Sequence, residues 1–476
     1  MEQAELLRAA GGGSRRLAMI FRRFYDDGLA QASFLIGCPG SGEAVVVDPN
    51  RNLETYLSAA AEEGLQIVAV TETHIHADYL SGAKELAERT GARLYLSDEG
   101  GPDWRYAYRN APNVRLLHDG ESFDIGGVRL TAIHTPGHTP EHLTFLVTDR
   151  PRSEEPWAAL TGDFVFVGDV GRPDLLENAA GVIGTAEPGA RDLFRSLERF
   201  RRFSPSLLLW PGHGAGSACG KALGGAPVTS LGYELATNWA FAIRDEDAFV
   251  ATVLEGQPDA PPYFARMKRD NKQGPARVAD AARLERVVEA PEGALVLDVR
   301  PAGDYRARHL VGSLAIPFRR SFSKYAGWLV PDDQPITILA EAEEQALLAA
   351  QALRMIGVDQ ARAWMGPEAL DAYPDHMVRT SRTATMRSLR DEAQCLDVRW
   401  DSEYREGCVP GAVHVPLGHL ERKACVLDAE RPIDVYCASG GRSVIAASIL
   451  ERLGFDDVAD VVDGFDAVAS EKLSSR

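Results

Sequence analysis

Paired cysteine spacings are missing from this sequence. Six cysteines (Cys38, Cys219, Cys395, Cys408, Cys425 and Cys437) are scattered over 476 residues, so no disulfide framework stands in for a core and reducing surroundings are expected. No apolar run reaches the roughly 18 residues of a membrane span. The start of the chain, with Glu2, Glu5 and Gly11 to Gly13 ahead of Arg15 and Arg16, lacks the apolar stretch of a signal peptide. Basic residues are in deficit: 51 Lys and Arg stand against 69 Asp and Glu, a net charge of −18. That imbalance argues against nucleic acid or an anionic membrane surface as a partner, and a cytoplasmic enzyme is the expectation. Length is not lacking, and about three domains of ordinary size can each bury a core.

What is present begins with Thr73-His74-Ile75-His76-Ala77-Asp78-Tyr79. Leu65 to Thr71 is an apolar, β-branched run of strand length, so this motif is predicted where a buried strand opens into a loop. Alternate residues of an extended loop point the same way, which lets His74, His76 and Asp78 converge on a metal ion. Three more predicted strands end in ligand types. Leu130 to His134 runs into a Pro-Gly turn that presents His138, with His134 and His142 in support. Ala158 to Asp163 ends on a carboxylate after Gly162, and Leu207 to His213 ends on an imidazole. Four strand ends thus bring ligands to one edge of a layered scaffold. Phe21 to Tyr25, Ala32 to Ile36, Glu43 to Asp48 and Ala92 to Leu96 read as strands, and Leu53 to Glu63, Gly82 to Thr90 and Ser230 to Phe249 as helices. Cys38 reads as a small buried apolar residue.

In this order, His74-x-His76-x-Asp78, Pro-Gly-His138-Thr, Thr-Gly-Asp163 and Pro-Gly-His213-Gly resemble the metallo-β-lactamase superfamily. The resemblance implies an αββα sandwich, a domain set at residues 18–265. Dinuclear zinc hydrolases of the superfamily, such as glyoxalase II, carry a histidine directly after the Asp, where this chain has Tyr79. That departure weakens a second metal site. The chain is similar instead to the persulfide dioxygenases of the superfamily, also in Gly171-Arg172-Pro173-Asp174 and in the glycine-rich loop from Gly212 to Gly220. Their single iron sits on the positions of His74, His138 and Asp163. Two histidines and one carboxylate form the facial triad of non-haem Fe(II), one per chain, with open positions for O2 and a thiolate-like substrate. The resemblance implies that His76, Asp78 and His213 orient the ligands, hold water or serve a second site. It places Arg172 with the substrate. Cys219 is open to two readings: a group near the iron that carries or attacks a persulfide sulfur, or a plain loop cysteine. Tyr263 to Asn271 resembles the segment that closes such domains and is expected to pack or to shape the substrate mouth.

An internal repeat follows. Leu297-Asp-Val-Arg300, Tyr305-Arg306, Gly312 and Pro317 recur at constant offset as Leu396-Asp-Val-Arg399, Tyr404-Arg405, Gly411 and Pro416. Each copy continues with a proline, a short strand, a loop and an apolar helix, a unit of an α/β sheet. In the second copy the loop is Cys437-Ala-Ser-Gly440-Gly441-Arg442-Ser443, ahead of a helix predicted from Val444 to Leu453. Successive backbone N–H groups and a helix N-terminus favour a thiolate or bound persulfide there, and Arg442 adds positive charge. This loop and the Leu-Asp-Val-Arg strand resemble the rhodanese sulfurtransferase family over residues 380–476, which implies a catalytic Cys437 and an anion-holding Arg442, with Gly440, Gly441 and Ser443 around the substrate. The first copy, at 275–375, has Ala340-Glu-Ala-Glu-Glu344 at that loop. It looks like a non-catalytic homologue that spaces and docks.

The expected fold class is therefore α/β, a metallo-β-lactamase sandwich followed by two rhodanese-like α/β domains. The resemblance implies oxidation of a small-molecule thiol persulfide by O2 to sulfite, joined to a step in which Cys437 makes or uses thiosulfate, as in sulfide detoxification. Relatives of this kind often self-associate into homo-oligomers, and the acidic charge balance argues against a nucleic-acid or membrane partner. The rival enzyme is a dinuclear zinc thioester hydrolase of glyoxalase II type with a sulfurtransferase appendage; the rival class is a sulfide-responsive binding module.

Overall fold

The computed structural model describes residues 19–175, 177, 184–217, 219–221, 223–257, 261–277 and 283–468. The N-terminal stretch discussed above and residues 258–260 lie outside the described residues. The chain forms two compact units, one reaching Ala260 and taking in Phe264–Arg277, the other made of Pro261–Tyr263 and the chain from Val278 onward.

In the first unit, Ile20–Asp26, Gln31–Cys38, Glu43–Val47, Gln66–Thr71, Arg93–Ser97 and Val114–Leu117 (β1–β6) form one sheet in chain order. Ser122–Ile125, Val128–His134, Leu143–Asp149, Ala158–Gly162, Leu208–Pro211 and Thr229–Ser230 (β7–β12) form the other. β3 to β6 run parallel. Parallel strands are covered on both faces, which is why Gln66–Thr71 reads as an almost unbroken apolar run. Between the sheets, Phe34, Val45, Val47 and Ala69 pack on Leu130, Phe145, Val147 and Leu160. Helices Leu53–Glu62 and Ala83–Thr90 cover the first sheet through Leu53, Tyr56 and Leu86. Helices Ala186–Phe200 and Glu246–Leu254 cover the second through Leu193, Leu197, Phe249 and Val253. The layers are αββα, as expected, and each large apolar side chain so buried contributes about 1.5–3 kcal/mol.

One expected helix is broken. Ser230 to Phe249 contains Leu231–Thr237, Trp239–Ala242 and the start of Glu246–Leu254. Asn238 accepts from Ala240 N–H and Asp245 from Ala248 N–H, so each begins a new helix where the apolar pattern alone reads as continuous.

In the second unit, Glu285–Arg286, Leu295–Asp298, His309–Leu310, Leu314–Ala315, Ile336–Leu339 and Ala361–Met365 (β13–β18) are followed by Val378–Arg379, Arg382–Ala384, Gln394–Asp397, Val413–His414, Ile433–Tyr436 and Val458–Val461 (β19–β24). Two parallel five-stranded sheets result, ordered β13-β18-β17-β14-β16 and β20-β24-β23-β21-β22. With their strands numbered within each copy, both orders are the same, so the sequence repeat is also a repeat of topology. Each Leu-Asp-Val-Arg strand closes an identical internal pair. Arg300 lies on Asp298 at 2.6 Å and reaches the Arg308 carbonyl, and Arg399 lies on Asp397 at 2.7 Å and reaches the Gly407 carbonyl. Among the described residues no helix is long and apolar enough to cross a membrane.

Candidate metal centre and cysteine loop

The metal centre starts from Asp48, at the end of β3, a residue held at φ 53°. Aspartate is among the few non-glycine residues that enter this region. Its carboxylate takes Thr73 N–H at 2.7 Å, Thr73 Oγ1 at 2.9 Å and His76 Nε2 at 3.1 Å, and so fixes the loop after β4. Thr73 spends its hydroxyl proton on Asp48, so at 2.9 Å it can only accept from His74 Nδ1–H. His138 Nδ1–H donates to the Arg172 carbonyl and His213 Nδ1–H to the Ala30 carbonyl, both at 3.0 Å. Each ring is thereby fixed in the tautomer that leaves Nε2 unprotonated.

Those three Nε2 atoms turn on Asp163. His74 and His138 lie 3.9 and 3.4 Å from Oδ2, and His213 lies 3.4 Å from Oδ1 and 3.3 Å from Asp78 Oδ2. All these residues are buried, and neither Asp163 oxygen has a hydrogen-bond partner. Lone pairs aimed at a buried carboxylate repel unless a cation sits among them. The residues present therefore fit a metal ion. Two ligand groups result, His74–His138–Asp163 and Asp78–His213–Cys219, with the ligand atoms of each within 4.8 Å of one another. The first has two histidines and one carboxylate, the composition of a facial triad. Gly162 makes the approach possible: it lies at φ 48°, and a Cβ there would meet Thr73 Oγ1 at 2.6 Å and His142 Nε2 at 2.7 Å.

Several expected site residues stand elsewhere. His76 belongs to neither group; burial would lower its pKa, but Asp48 and then Glu72 and Asp78 hold it up at about 9, so it is an imidazolium bound to Asp48. Arg172 is not open to a substrate. Its guanidinium is wholly buried and paired with Asp174 Oδ1 at 2.8 Å, because the aspartate two residues on folds back onto it, while its carbonyl steadies His138. Cys219 is 1% exposed, and burial with the carboxylates of Asp163 and Asp78 pushes its thiol well above the ordinary range. It belongs to the second candidate ligand group and does not face solvent. Tyr79, in place of the hydrolases' histidine, is buried with its hydroxyl 3.3 Å from the Asp48 carbonyl. His142, pushed down to about 3 by burial and the neighbouring imidazoles, is neutral and accepts Asp163 N–H at 3.1 Å.

Helix Tyr263–Gln273 ties this loop down, since Asn271 accepts from Ser81 N–H and donates to the carbonyls of His76 and Tyr79, each at 2.8 Å. Beside Gly137, which precedes His138, opens a cavity of about 570 Å³ whose lining includes Trp104, Lys268, Arg269 and Lys272. Asp48 and Asn271 escaped the sequence reading, though Asp48 carried a faint signal as a carboxylate closing a β-branched strand.

The second candidate site lies where β23 ends. Gly440 and Arg442 aim their N–H groups at Cys437 Sγ from 3.1 and 3.3 Å, and Ser443 Oγ lies 3.8 Å away at the start of helix Ser443–Arg452. Gly441 and Ser439 line a cavity of about 360 Å³ above the thiol. Arg442, expected to hold an anion, is gripped by both oxygens of Glu403 at 2.6 Å. Burial alone would lower its pKa, but this partner holds the guanidinium above its ordinary range. Cys425 is exposed, while Cys38, Cys395 and Cys408 are partly buried.

The model of the metallo-beta-lactamase superfamily matches residues 26–213, and that of the rhodanese-like domain matches residues 383–471. A solved structure of a metallo-beta-lactamase from Staphylococcus aureus subsp. aureus COL superposes at a TM-score of 0.68 and 37% identity, over 74% of this chain and 99% of that one. That share is larger than the first unit, so the likeness reaches into the second. A probable metallo-hydrolase of Burkholderia pseudomallei is 28% identical over 226 residues, 41% of this chain and 72% of the relative. A hydroxyacylglutathione hydrolase of Xylella fastidiosa is 39% identical over 108 residues, 23% of this chain and 38% of that protein.

Proposed function

The chain belongs to the metallo-β-lactamase superfamily and ends in a rhodanese-like domain, and from that premise we propose that it oxidises a thiol persulfide with O2 and passes sulfur through Cys437. The observation that carries this reading is the His74–His138–Asp163 triad, in which a carboxylate without protein partners faces two imidazole lone pairs. Iron held by those three residues would supply the binding and activation of O2 beside the terminal sulfur. In balance, RSSH, O2 and H2O give RSH, sulfite and two protons. The chain's own residues prepare this step: Asp48, Thr73 and the Arg172 carbonyl fix the ligand tautomers, and Asn271 holds the loop. The cavity beside Gly137, with Lys272 on its lining, suits a carrier thiol that bears negative charge.

At the second site, sulfite attacks the outer sulfur of a Cys437 persulfide, the S–S bond breaks, and thiosulfate leaves with the Cys437 thiolate restored. The same step runs backwards from thiosulfate. N–H groups of Gly440 and Arg442 stabilise the negative sulfur in either direction. We read the first copy as a rhodanese homologue without the nucleophile.

Product analysis tests the sequence of steps. Protein given a synthetic persulfide and O2 is expected to release thiosulfate, and Cys437→Ser to release sulfite instead. Thiosulfate from Cys437→Ser at the wild-type rate would refute the second step. The alternative, a dinuclear zinc thioester hydrolase, is favoured by the Asp78–His213–Cys219 group and by Asp163 Oδ1 turned toward His213. Two metals per chain with thioester hydrolysis would select it.

A further inference from the structure

We propose that Arg319, on the first copy's wall of the Cys437 cavity, takes the oxyanion end of sulfite or thiosulfate. The inference rests on the reading of Cys437 as the sulfur carrier.

The cavity over Cys437 has walls from both copies: Pro317, Arg319, Ser321 and Tyr325 from the first, Trp400 and Ser439 from the second. A doubly charged oxyanion entering it needs a cation that is not already neutralised. Arg442 does not meet that need, because Glu403 occupies it through two parallel bonds at 2.6 Å. Arg319 does. It lines the cavity, is exposed, and forms no side-chain ion pair or hydrogen bond among the described residues, which leaves its guanidinium donors available.

The same copy also sets the cradle. Arg306 lies 2.7 Å from Asp460 and donates to the Gly440 carbonyl at 2.9 Å, so the residue whose N–H faces the sulfur is held from behind by the other copy. Lys324 stands 4.9 Å over the Trp400 ring, and Trp328 packs on Trp400 at 5.8 Å, closing that wall. The loop Ala340 to Glu344 carries no thiol, while the surface after Pro317 faces the cavity over Cys437. Arg306 is a positioning residue, and Arg319 is a specificity-determining one. With thiosulfate, the Cys437 thiolate attacks the sulfane sulfur, its bond to the sulfonate sulfur breaks, and sulfite leaves with the electron pair while held by Arg319. With hydrodisulfide as donor, the leaving group is hydrosulfide, which has no sulfonate for Arg319 to hold.

The test compares these two donors on the full chain and its Arg319→Ala and Arg319→Lys variants, reading KM and kcat for sulfur loading of Cys437. Arg319→Ala is expected to raise KM for thiosulfate by about 10- to 100-fold, the loss of one charge-assisted pair. Its kcat is expected to change less than about threefold, and KM for hydrodisulfide by less than about twofold. Arg319→Lys is expected to recover part of the thiosulfate affinity. An unchanged KM for thiosulfate, or an equal rise for both donors, overturns the assignment of Arg319 while leaving Cys437 as the carrier. Wild-type protein whose Cys437 is loaded by neither donor overturns the carrier reading and the inference with it. Arg319 is exposed, so an unchanged unfolding transition in both variants is expected.

Discussion

Gly440 and Gly441 are adjacent, and the structure demands opposite outcomes from the same substitution. Gly440 sits at φ 78°, and a Cβ there would lie 2.0 Å from the Val462 carbonyl oxygen. The left-handed conformation alone costs an alanine about 1–2 kcal/mol. Contacts under 3.0 Å are essentially never tolerated, so the loop has to move by at least 1 Å. That movement removes the Gly440 N–H from Cys437 Sγ and loosens the Arg306 hold on the Gly440 carbonyl. A hydrogen bond to a charged group is worth about 1.5–3 kcal/mol, so Gly440→Ala should lower kcat/KM for thiosulfate by roughly 10- to 100-fold. At Gly441 a Cβ meets nothing within 4 Å and the backbone is not left-handed. Gly441→Ala should keep at least about a third of the activity. Steady-state sulfur transfer, with iodoacetamide alkylation of Cys437 at fixed pH as a second readout, measures both. Equal activity in the two variants would refute the view that backbone N–H groups, rather than the thiol alone, make the site.

Asp48 and His76 should act as one unit: a cycle of Asp48→Asn, His76→Gln and the double variant should show a coupling of about 1.5–3 kcal/mol in urea unfolding of the first unit, and additive effects would deny the pair. Because the folded His76 is held up at about 9, its stabilisation is complete below about 6.5 and lost as pH rises through 9. The stability gap between wild type and His76→Gln should therefore shrink from pH 6 toward pH 9.5, and a widening gap would contradict the assignment. Asn271→Ala leaves two carbonyls and one N–H of the metal loop without partners. It should weaken metal retention about 10- to 100-fold in a chelator competition, and unaltered retention would show the tether to be dispensable.

The ligands were legible because spacing carries them: His74 and Asp78 stand at alternating positions of one loop, and His138, Asp163 and His213 each follow a strand. Their supports were not. Asn271 lies 195 residues from His76 and Asp48 lies 28 away, and a single polar residue at such a distance has no pattern to betray it. Arg172 misled for a related reason. An arginine between glycine and proline looks like an exposed binding group until Asp174 is seen to fold back onto it. The same i, i+2 geometry explains why Asp298 and Arg300, and Asp397 and Arg399, are structural pairs. The repeat followed from constant offset, and the αββα layers from the resemblance that the ligand motifs carry. What the first copy does for the second was hidden, because Arg319 and Tyr325 fall in no motif, Arg306 stood only as one position of the repeat, and all three gain meaning only when the two copies share a wall.

The central claim rests on one redox metal at His74, His138 and Asp163, and metal analysis with oxygen uptake tests it most directly. Protein purified without chelators and given a synthetic persulfide should carry about one iron per chain and consume one O2 for each sulfite formed, with uptake abolished in Asp163→Ala. Two zinc ions per chain, no oxygen uptake and hydrolysis of a thioester would contradict it.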